Sequence, residues 1–236
     1  MSNPFHTRLL AAASAPYRAV SRFAWHFARG KIGGDPLFFG LLAQGAYPPA
    51  LRLLDLGCGQ GLLANVLTAA SALYAAGDWP PDWPQPPALL SYRGIELMPQ
   101  DVARAAPAMP ENACVVQGDI RCADFGQADV ITIFDVLHYL EPAAQTEVLA
   151  RVAAALPADG RLLLRVGDAA GGLPFWISVW VDHLVTWCHG HRLGKLHCRP
   201  VAEWQKMLKA LGFAVAVKPM SAGTPFANTV LLARKI

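Results

Sequence analysis

The sequence predicts an α/β protein with a doubly wound, Rossmann-like sheet of seven strands and helices on both faces. Short apolar runs alternate with helical patterns along most of the chain. A glycine-rich turn joins the first apolar run to a helix, and two neighbouring β-runs near the C-terminus predict a terminal antiparallel hairpin. With 236 residues, of which 54% are hydrophobic, the chain is long enough to form one domain with a substantial core.

The apolar patterns place the elements in order. Extra N-terminal helices are expected at about 5–29 and 36–44, before the first strand at 51–56 and its helix at about 61–75. Further strands are predicted at 91–97, 113–117, 129–134, 161–166, 213–218 and 228–234. The remaining helices are predicted after Pro99 and at 142–156, 174–190 and 200–211.

Charge and cysteine content exclude several classes of protein. A net charge of +3 without a dense Lys/Arg patch argues against a nucleic-acid partner. The five cysteines are scattered and odd in number, which predicts free thiols in a reducing compartment. The most apolar stretch, 173–181, has about half the length that a membrane-spanning helix needs. We therefore expect a cytoplasmic protein.

The N-terminal segment is basic. Residues 1–34 contain five Arg or Lys residues and no acidic residue, which superficially suggests a transit peptide. Arg18, Arg22 and Arg29 alternate with apolar residues at helical spacing, so we predict instead an amphipathic helix that belongs to the fold. Peripheral association of its basic face with the inner membrane stays open.

The most informative stretch is 53–61, LLDLGCGQG, in which an apolar run ends in Asp55 and glycines follow at 57, 59 and 61. Such a turn brings bare backbone close to an anionic group at a helix N-terminus. A dinucleotide fingerprint would place its third glycine at position 62, which is Leu62. The pattern D-x-G-x-G-x-G resembles motif I of the class I methyltransferases that depend on S-adenosylmethionine (SAM).

Acidic residues follow the strands at the edge where open α/β sheets bind ligands. Asp55 suits the ammonium of SAM, the amides at 59–61 suit its carboxylate, and Glu96 suits both ribose hydroxyls. Asp119 is expected to accept from the adenine amino group while Ile120 packs on the ring. The predicted cofactor-binding residues are Asp55, Gly57, Cys58, Gly59, Gly61, Glu96, Leu97, Asp119, Ile120, Phe134 and Asp135.

One spacing departs from the expected pattern. Glu96 lies 35 residues after Gly61, whereas an acid on the next strand is expected after about 20. The loop at 77–87, GDWPPDWPQPP, absorbs the excess. It is interpreted as a surface insertion or as part of the pocket wall that covers Trp79 and Trp83.

The acceptor side of the predicted site centres on His138, which follows the fourth strand. A histidine there suits a general base, although a positioning role stays open. The predicted substrate-binding residues are Tyr139, Arg165, Trp176, Trp180 and His183, and ordinary core packing is the alternative for the tryptophans. The cysteines and histidines of 188–198 lack metal-finger spacing, so no metal is predicted.

Several phrases resemble a narrower group of methyltransferases, those of bacterial aryl-polyene or xanthomonadin-type pigment biosynthesis. They include FARGKIGGDPLFFGLL (27–42), FDVLHYL (134–140) and PFANTVLLAR (225–234). That resemblance implies a phenolic acceptor, free or bound to a carrier protein, that is methylated on oxygen or on ring carbon. The chain has no internal repeats and no linker, so we predict a single domain, 1–236, with an N-terminal helical lid (1–45), a SAM-binding core (51–166) and an acceptor lid (170–200). The competing hypothesis is a non-catalytic SAM-fold subunit of a biosynthetic complex at the membrane surface.

Overall fold

A computed structural model of the chain describes residues 4–167, 196–220 and 228–236. Before the sheet lie helices α1 (Pro4–Ser14), α2 (Arg22–Gly34) and α3 (Pro36–Ala43). Strands and helices then alternate through β1 (Ala50–Leu56), α4 (Leu62–Ala75), β2 (Ala88–Glu96), α5 (Pro99–Ala105), β3 (Ala113–Gln117), β4 (Val130–Phe134), α6 (Pro142–Ala155) and β5 (Arg161–Gly167). The described part ends with α7 (Val201–Ala210), β6 (Phe213–Pro219) and β7 (Asn228–Lys235). The helix predicted at 174–190 lies outside the described residues.

The seven strands form a mixed sheet in the order β3-β2-β1-β4-β5-β7-β6. Strands β1, β2 and β3 pair in parallel, whereas β7 pairs antiparallel with both β5 and β6. The predicted fold class is therefore confirmed, including the antiparallel terminal hairpin and the extra N-terminal helices.

The prediction of one continuous helix over 5–29 is wrong. Helix α1 ends at Ser14, a 3₁₀ turn covers Ala15–Arg18, and α2 begins at Arg22. Pro16 lacks the amide hydrogen that an α-helix needs in its interior. Ser21 then caps the second helix, because its side-chain oxygen accepts the Ala24 N–H at 3.0 Å.

The chain divides into two compact units. The first comprises Met1–Asp124 and Ala128–Val130, and the second comprises Phe125–Gln127 and Ile131–Ile236. In the second unit, α6 buries Val148, Leu149 and Val152 on the face that the sequence pattern indicates.

The Pro/Trp loop of the first unit packs against the N-terminal helix. The rings of Trp79 and Trp83 meet Phe5 of α1 edge-on, with centroids 5.2 and 5.3 Å away. Arg8 of α1 donates to the Asp78 carboxylate at 2.5 Å. The tryptophans are therefore covered by α1, and the loop anchors the N-terminal segment to its own unit.

Candidate active site

The glycine loop of the first unit connects β1 to α4. Gly57, Gly59 and Gly61 have φ angles of 75°, 55° and 70°, in the left-handed region that glycine adopts without steric cost. The amides of Gly57 and Cys58 donate to the Ile95 carbonyl at 2.8 and 3.3 Å, which ties the loop to β2. The loop therefore has the predicted strand–turn–helix setting.

Two of the glycines are required for different reasons. A Cβ atom at Gly61 would lie 2.7 Å from the Met109 methyl carbon, so the flexible end of Met109 would have to move to admit a side chain. A Cβ atom at Gly59 would have no heavy atom within 4 Å. The backbone at Gly59 is thus bare and accessible, as close approach of a ligand requires.

Glu96, at the end of β2, lies against this loop. Its Oε2 atom accepts the Gly59 N–H at 2.9 Å, and its Oε1 atom accepts the Met98 N–H at 2.8 Å. The long spacing from Gly61 does not displace Glu96, because the extra residues form the loop packed on α1. The Gly61 N–H donates to the Cys58 carbonyl at 3.0 Å, so the amides of Gly59 and Gly61 both have acceptors within the protein. The predicted binding of a carboxylate by the amides at 59–61 therefore stays a prediction.

Asp55 is a buried carboxylate, 4% exposed, held by Tyr92 of β2. The Tyr92 hydroxyl donates to the Asp55 Oδ2 atom at 2.8 Å. Tyr92 lies opposite Leu53 in the parallel register, and Leu53 shares a sheet face with Asp55, which brings the two side chains together. Burial and the nearby Asp55 charge raise the pKa of Tyr92 well above its ordinary value, so its hydroxyl keeps its proton. The sequence analysis missed Tyr92, since only the strand register identifies it.

Cys58 contributes backbone to the loop while its thiol faces β2. The sulfur occupies the space that a Cβ at Gly94 would fill, so a glycine is needed at that point of the strand. Burial, followed by the charges of Asp55 and Glu96, raises the pKa of the Cys58 thiol well above its ordinary value. The thiol is therefore protonated at neutral pH and unsuited to nucleophilic chemistry.

Exposure differs among three predicted cofactor-binding residues, which are Leu97 and the two predicted to bind adenine, Asp119 and Ile120. Leu97 is 57% exposed, whereas Ile120 is buried. Arg121 donates to the Asp119 carboxylate through both its backbone N–H and its guanidinium, which lowers the pKa of Asp119. Leu97 thus presents accessible apolar surface directly after β2, and the roles of all three stay predictions.

In the second unit, Asp135 and Arg165 bind one another. Asp135 follows β4 with a φ of 58°, a left-handed conformation that aspartate tolerates better than most residues. The Arg165 Nε atom donates to the Asp135 Oδ1 atom at 2.9 Å, and Nη2 contacts Oδ2. Arg165 is 1% exposed. Asp135 therefore binds the Arg165 guanidinium. The sequence analysis had instead placed Asp135 at SAM and Arg165 at the substrate.

His138 lies in a 3₁₀ turn, Leu137–Tyr139, directly after β4. It is half-buried; burial lowers its pKa, and the Asp135 charge opposes that effect. The imidazole is therefore neutral at pH 7 and can accept a proton. The Tyr139 ring is 44% exposed, and its centroid lies 4.2 Å from that of His138.

A buried glutamine that the sequence analysis missed fastens this turn. Gln145 of α6 is fully buried, and its Nε2 atom donates to the carbonyls of Leu137 and His197 at 3.0 and 2.7 Å. Its Oε1 atom accepts from the Arg199 Nε atom at 2.6 Å, and the His197 N–H donates to the His138 carbonyl at 2.8 Å. The backbone at His138 is thus held from both sides within its unit.

Several predicted acceptor residues, Trp176, Trp180 and His183, lie outside the described residues, as do Cys188, His189 and His191. Within 4–167, 196–220 and 228–236, no three His, Cys, Asp or Glu side chains are grouped as metal ligands.

A family model described as a methyltransferase domain matches residues 14–217. The chain belongs to this methyltransferase family. The expected fold family and its cofactor, SAM, are confirmed at the family level. Among curated proteins, the carboxy-S-adenosyl-L-methionine synthase of Chromohalobacter salexigens is 32% identical over 130 residues, which are 53% of this chain and 43% of that protein. The chain thus spans less than half of that relative.

Solved structures of other methyltransferases share the fold. An O-methyltransferase family protein from Burkholderia thailandensis has a TM-score of 0.62 at 20% identity and covers 91% of this chain and 59% of its own. The magnesium protoporphyrin IX methyltransferase of Synechocystis PCC 6803, with bound S-adenosylhomocysteine, has a TM-score of 0.60 at 18% identity and covers 98% of both chains. Mitomycin 7-O-methyltransferase has a TM-score of 0.61 at 21% identity and covers 99% of this chain and 69% of its own.

The residues of the first unit fit the cofactor of this methyltransferase family. The loop offers bare backbone at Gly59, Asp55 and Glu96 would supply carboxylates to the ammonium and ribose groups, and Leu97 supplies exposed apolar surface.

Proposed function

We propose that the protein, as a single domain of residues 1–236, transfers the methyl group of SAM to a small aromatic or phenolic acceptor. The contact between Glu96 and the Gly59 amide carries the proposal, because it joins the glycine loop to a carboxylate suited to ribose. Membership of the methyltransferase family supports the reaction type.

On this proposal, each residue of the first unit has one task. SAM supplies an electrophilic methyl group on a sulfonium. Asp55, oriented by the Tyr92 hydroxyl, binds the ammonium of the cofactor. Glu96 accepts the ribose hydroxyls, and Leu97 packs on the adenine. In-line transfer needs alignment above all, which these contacts supply.

His138 acts as the general base. Its lowered pKa leaves the imidazole neutral at pH 7, ready to accept the acceptor's hydroxyl proton. For O-methylation, the freed oxygen forms the new bond to the methyl carbon as the carbon–sulfur bond breaks, and its electron pair goes to sulfur. For C-methylation, charge from the phenolate moves to a ring carbon, which forms that bond and then loses its own proton. Both routes yield S-adenosylhomocysteine.

Two observations support an aromatic or phenolic acceptor. The phrases at 27–42, 134–140 and 225–234 resemble pigment-pathway methyltransferases, in which the acceptor is a phenolic head group or its carrier-bound precursor. One solved neighbour is named for the 7-O position of mitomycin, and another, from Planctomyces limnophilus, is a complex with apigenin.

Methyl-labelled SAM, incubated with the protein and extracts of a strain lacking its gene, tests the proposal. We expect one labelled small molecule and an equal amount of S-adenosylhomocysteine. His138→Ala should abolish the label, whereas His26→Gln, a change at an exposed histidine, should retain it. If the protein instead converts SAM to a carboxylated form and transfers no methyl group, the proposal is wrong and the activity is the one for which the Chromohalobacter relative is named.

A second candidate, a non-catalytic subunit at the inner membrane surface, is favoured by the exposed side of α2. Arg22 is exposed and Phe23 is 46% exposed, while Arg18 and Arg29 stack on the Trp25 ring. Basic and aromatic side chains on one helix suit an anionic lipid surface. Among the described helices, none is long and apolar enough to cross a bilayer.

Co-sedimentation with phosphatidylglycerol vesicles distinguishes this second function. Arg22→Glu should reduce binding several-fold at low salt, whereas Lys209→Glu on α7 should not. Vesicle binding with SAM binding but no methylated product in any extract would favour the non-catalytic subunit.

A further inference from the structure

Tyr17 connects the N-terminal segment to the glycine loop. It lies in the 3₁₀ turn between α1 and α2, and no part of it is exposed. Its hydroxyl donates to the backbone carbonyl of Gln60 at 2.8 Å. A buried hydroxyl on a loop carbonyl 43 residues away is a specific contact, not general packing.

Asn65 fixes the direction of this hydrogen bond. The Asn65 Nδ2 atom donates to the Ala108 carbonyl at 3.0 Å and to the Tyr17 hydroxyl oxygen at 3.1 Å. The carbonyl of Ala108 only accepts, so the amide must present its NH₂ group on that side. Because Asn65 occupies a lone pair of the Tyr17 oxygen, the single hydroxyl proton is directed to Gln60.

The bonded carbonyl controls the loop because of where it lies in the backbone. The Gln60 carbonyl and the Gly61 N–H belong to one planar peptide group. This group rotates about ψ of Gln60 and φ of Gly61, and glycine at 61, with its positive φ, lowers the cost of that rotation. The side chain of Gln60 is held separately, since its Nε2 atom donates to Asp101 at 3.3 Å. The Gly61 N–H donates to the Cys58 carbonyl at 3.0 Å, and the Tyr17 hydroxyl holds the opposite, carbonyl side of the same peptide group.

We propose that Tyr17 is a positioning residue of the cofactor site, which holds the Gln60–Gly61 peptide so that the turn keeps the neighbouring Gly59 backbone open to the amino-acid end of SAM. This inference rests on the proposed function, since it assumes that the glycine loop binds SAM. It gives the N-terminal helices a role in cofactor affinity through one hydroxyl group.

Calorimetric titration of SAM into Tyr17→Phe tests the proposal. The variant keeps the ring and loses only the hydroxyl, so we expect the Kd for SAM to rise about 5- to 10-fold, as for one lost hydrogen bond. Tyr74→Phe, at a 42% exposed tyrosine of α4, is the control and should leave the Kd within about twofold. Asn65→Ala should raise the Kd in the same direction, and the double variant should add little to Tyr17→Phe.

A merely structural role predicts a different result. Loss of general stability lowers the Tm but leaves the Kd of the fully folded protein unchanged. Amide exchange followed by mass spectrometry should also accelerate in residues 57–62 of ligand-free Tyr17→Phe and slow again with SAM. A wild-type Kd in folded Tyr17→Phe would overturn the inference, whereas failure of the wild-type protein to bind SAM would overturn the proposed function itself.

Discussion

At the scale of single residues, the proposed cofactor site depends on buried partners behind the residues that would meet the ligand. The Tyr92 hydroxyl is one such partner, since it donates to the buried Asp55 carboxylate. Without it, Asp55 loses a hydrogen bond in a place where water cannot readily replace it. The Asp55 carboxylate is then less firmly oriented toward the ligand.

We therefore predict that Tyr92→Phe lowers both the free energy of unfolding and the affinity for SAM. Denaturant unfolding should show a loss of about 1–3 kcal/mol, the usual cost of leaving a buried polar group unpaired. Titration with SAM should show weaker binding, because Asp55 is less well oriented. A variant with wild-type stability and affinity would show that Asp55 does not rely on this hydroxyl.

The pH dependence of stability is also set by individual residues. Burial lowers the pKa of His138 in the folded protein, so below about pH 6.5 the unfolded chain takes up a proton that the folded chain resists. Its contribution to stability is therefore complete above that pH and is lost as the pH falls. His6 shifts in the same direction for the same cause.

We predict that His138→Gln flattens this part of the profile. Between about pH 6.5 and 5, the free energy of unfolding should fall less steeply in the variant, by up to about 1.4 kcal/mol per pH unit. Denaturant titrations of both proteins across this range measure the difference. Parallel profiles would contradict the assignment of a lowered pKa to His138.

At the scale of elements, the turn between β1 and α4 needs glycine at position 61 for two reasons, its φ of 70° and the nearness of Met109. Gly77 offers a matched comparison, since its φ is 75° but a Cβ there would meet no heavy atom within 4 Å. Both positions carry the same backbone cost when a side chain is added, and only Gly61 adds a steric clash.

Gly61→Ala should therefore destabilise the protein by about 0.5–1.5 kcal/mol more than Gly77→Ala, the usual cost of forcing a side chain such as Met109 off its preferred rotamer. Paired urea titrations measure this difference directly. Equal losses would mean that Met109 yields without cost and that only the backbone conformation matters.

Local sequence signals predicted most elements because each depends on neighbouring residues. The glycine loop, β3 at 113–117 and the start of α6 at Pro142 are found where their patterns indicate. The break in the N-terminal helix was missed, although Pro16 and the cap at Ser21 carry the signal for it. The 3₁₀ turn at His138 was not predicted, since the sequence placed His138 only after the fourth strand.

At the scale of the whole molecule, the contacts that sequence could not supply are those between distant residues. Tyr17 with Gln60, Tyr92 with Asp55 and Arg165 with Asp135 are set by packing and strand register, which no local pattern encodes. The distribution of charge, unlike these contacts, follows directly from the sequence. Residues 1–34 carry five of the 20 Lys and Arg residues and none of the 17 Asp and Glu residues. That asymmetry is the basis of the membrane-surface alternative.

On the proposed function, the glycine loop, Asp55 and Glu96 together bind SAM. Calorimetric titration of SAM into the folded wild-type protein, Asp55→Ala and Glu96→Ala tests it most directly, with Glu111→Gln as a control at an exposed acid. We expect a Kd on the order of micromolar for the wild type and the control, and a Kd at least about tenfold higher in both site variants, as loss of a charge-assisted hydrogen bond implies. A folded wild-type protein that binds no SAM, or site variants that bind it as the wild type does, would contradict the account.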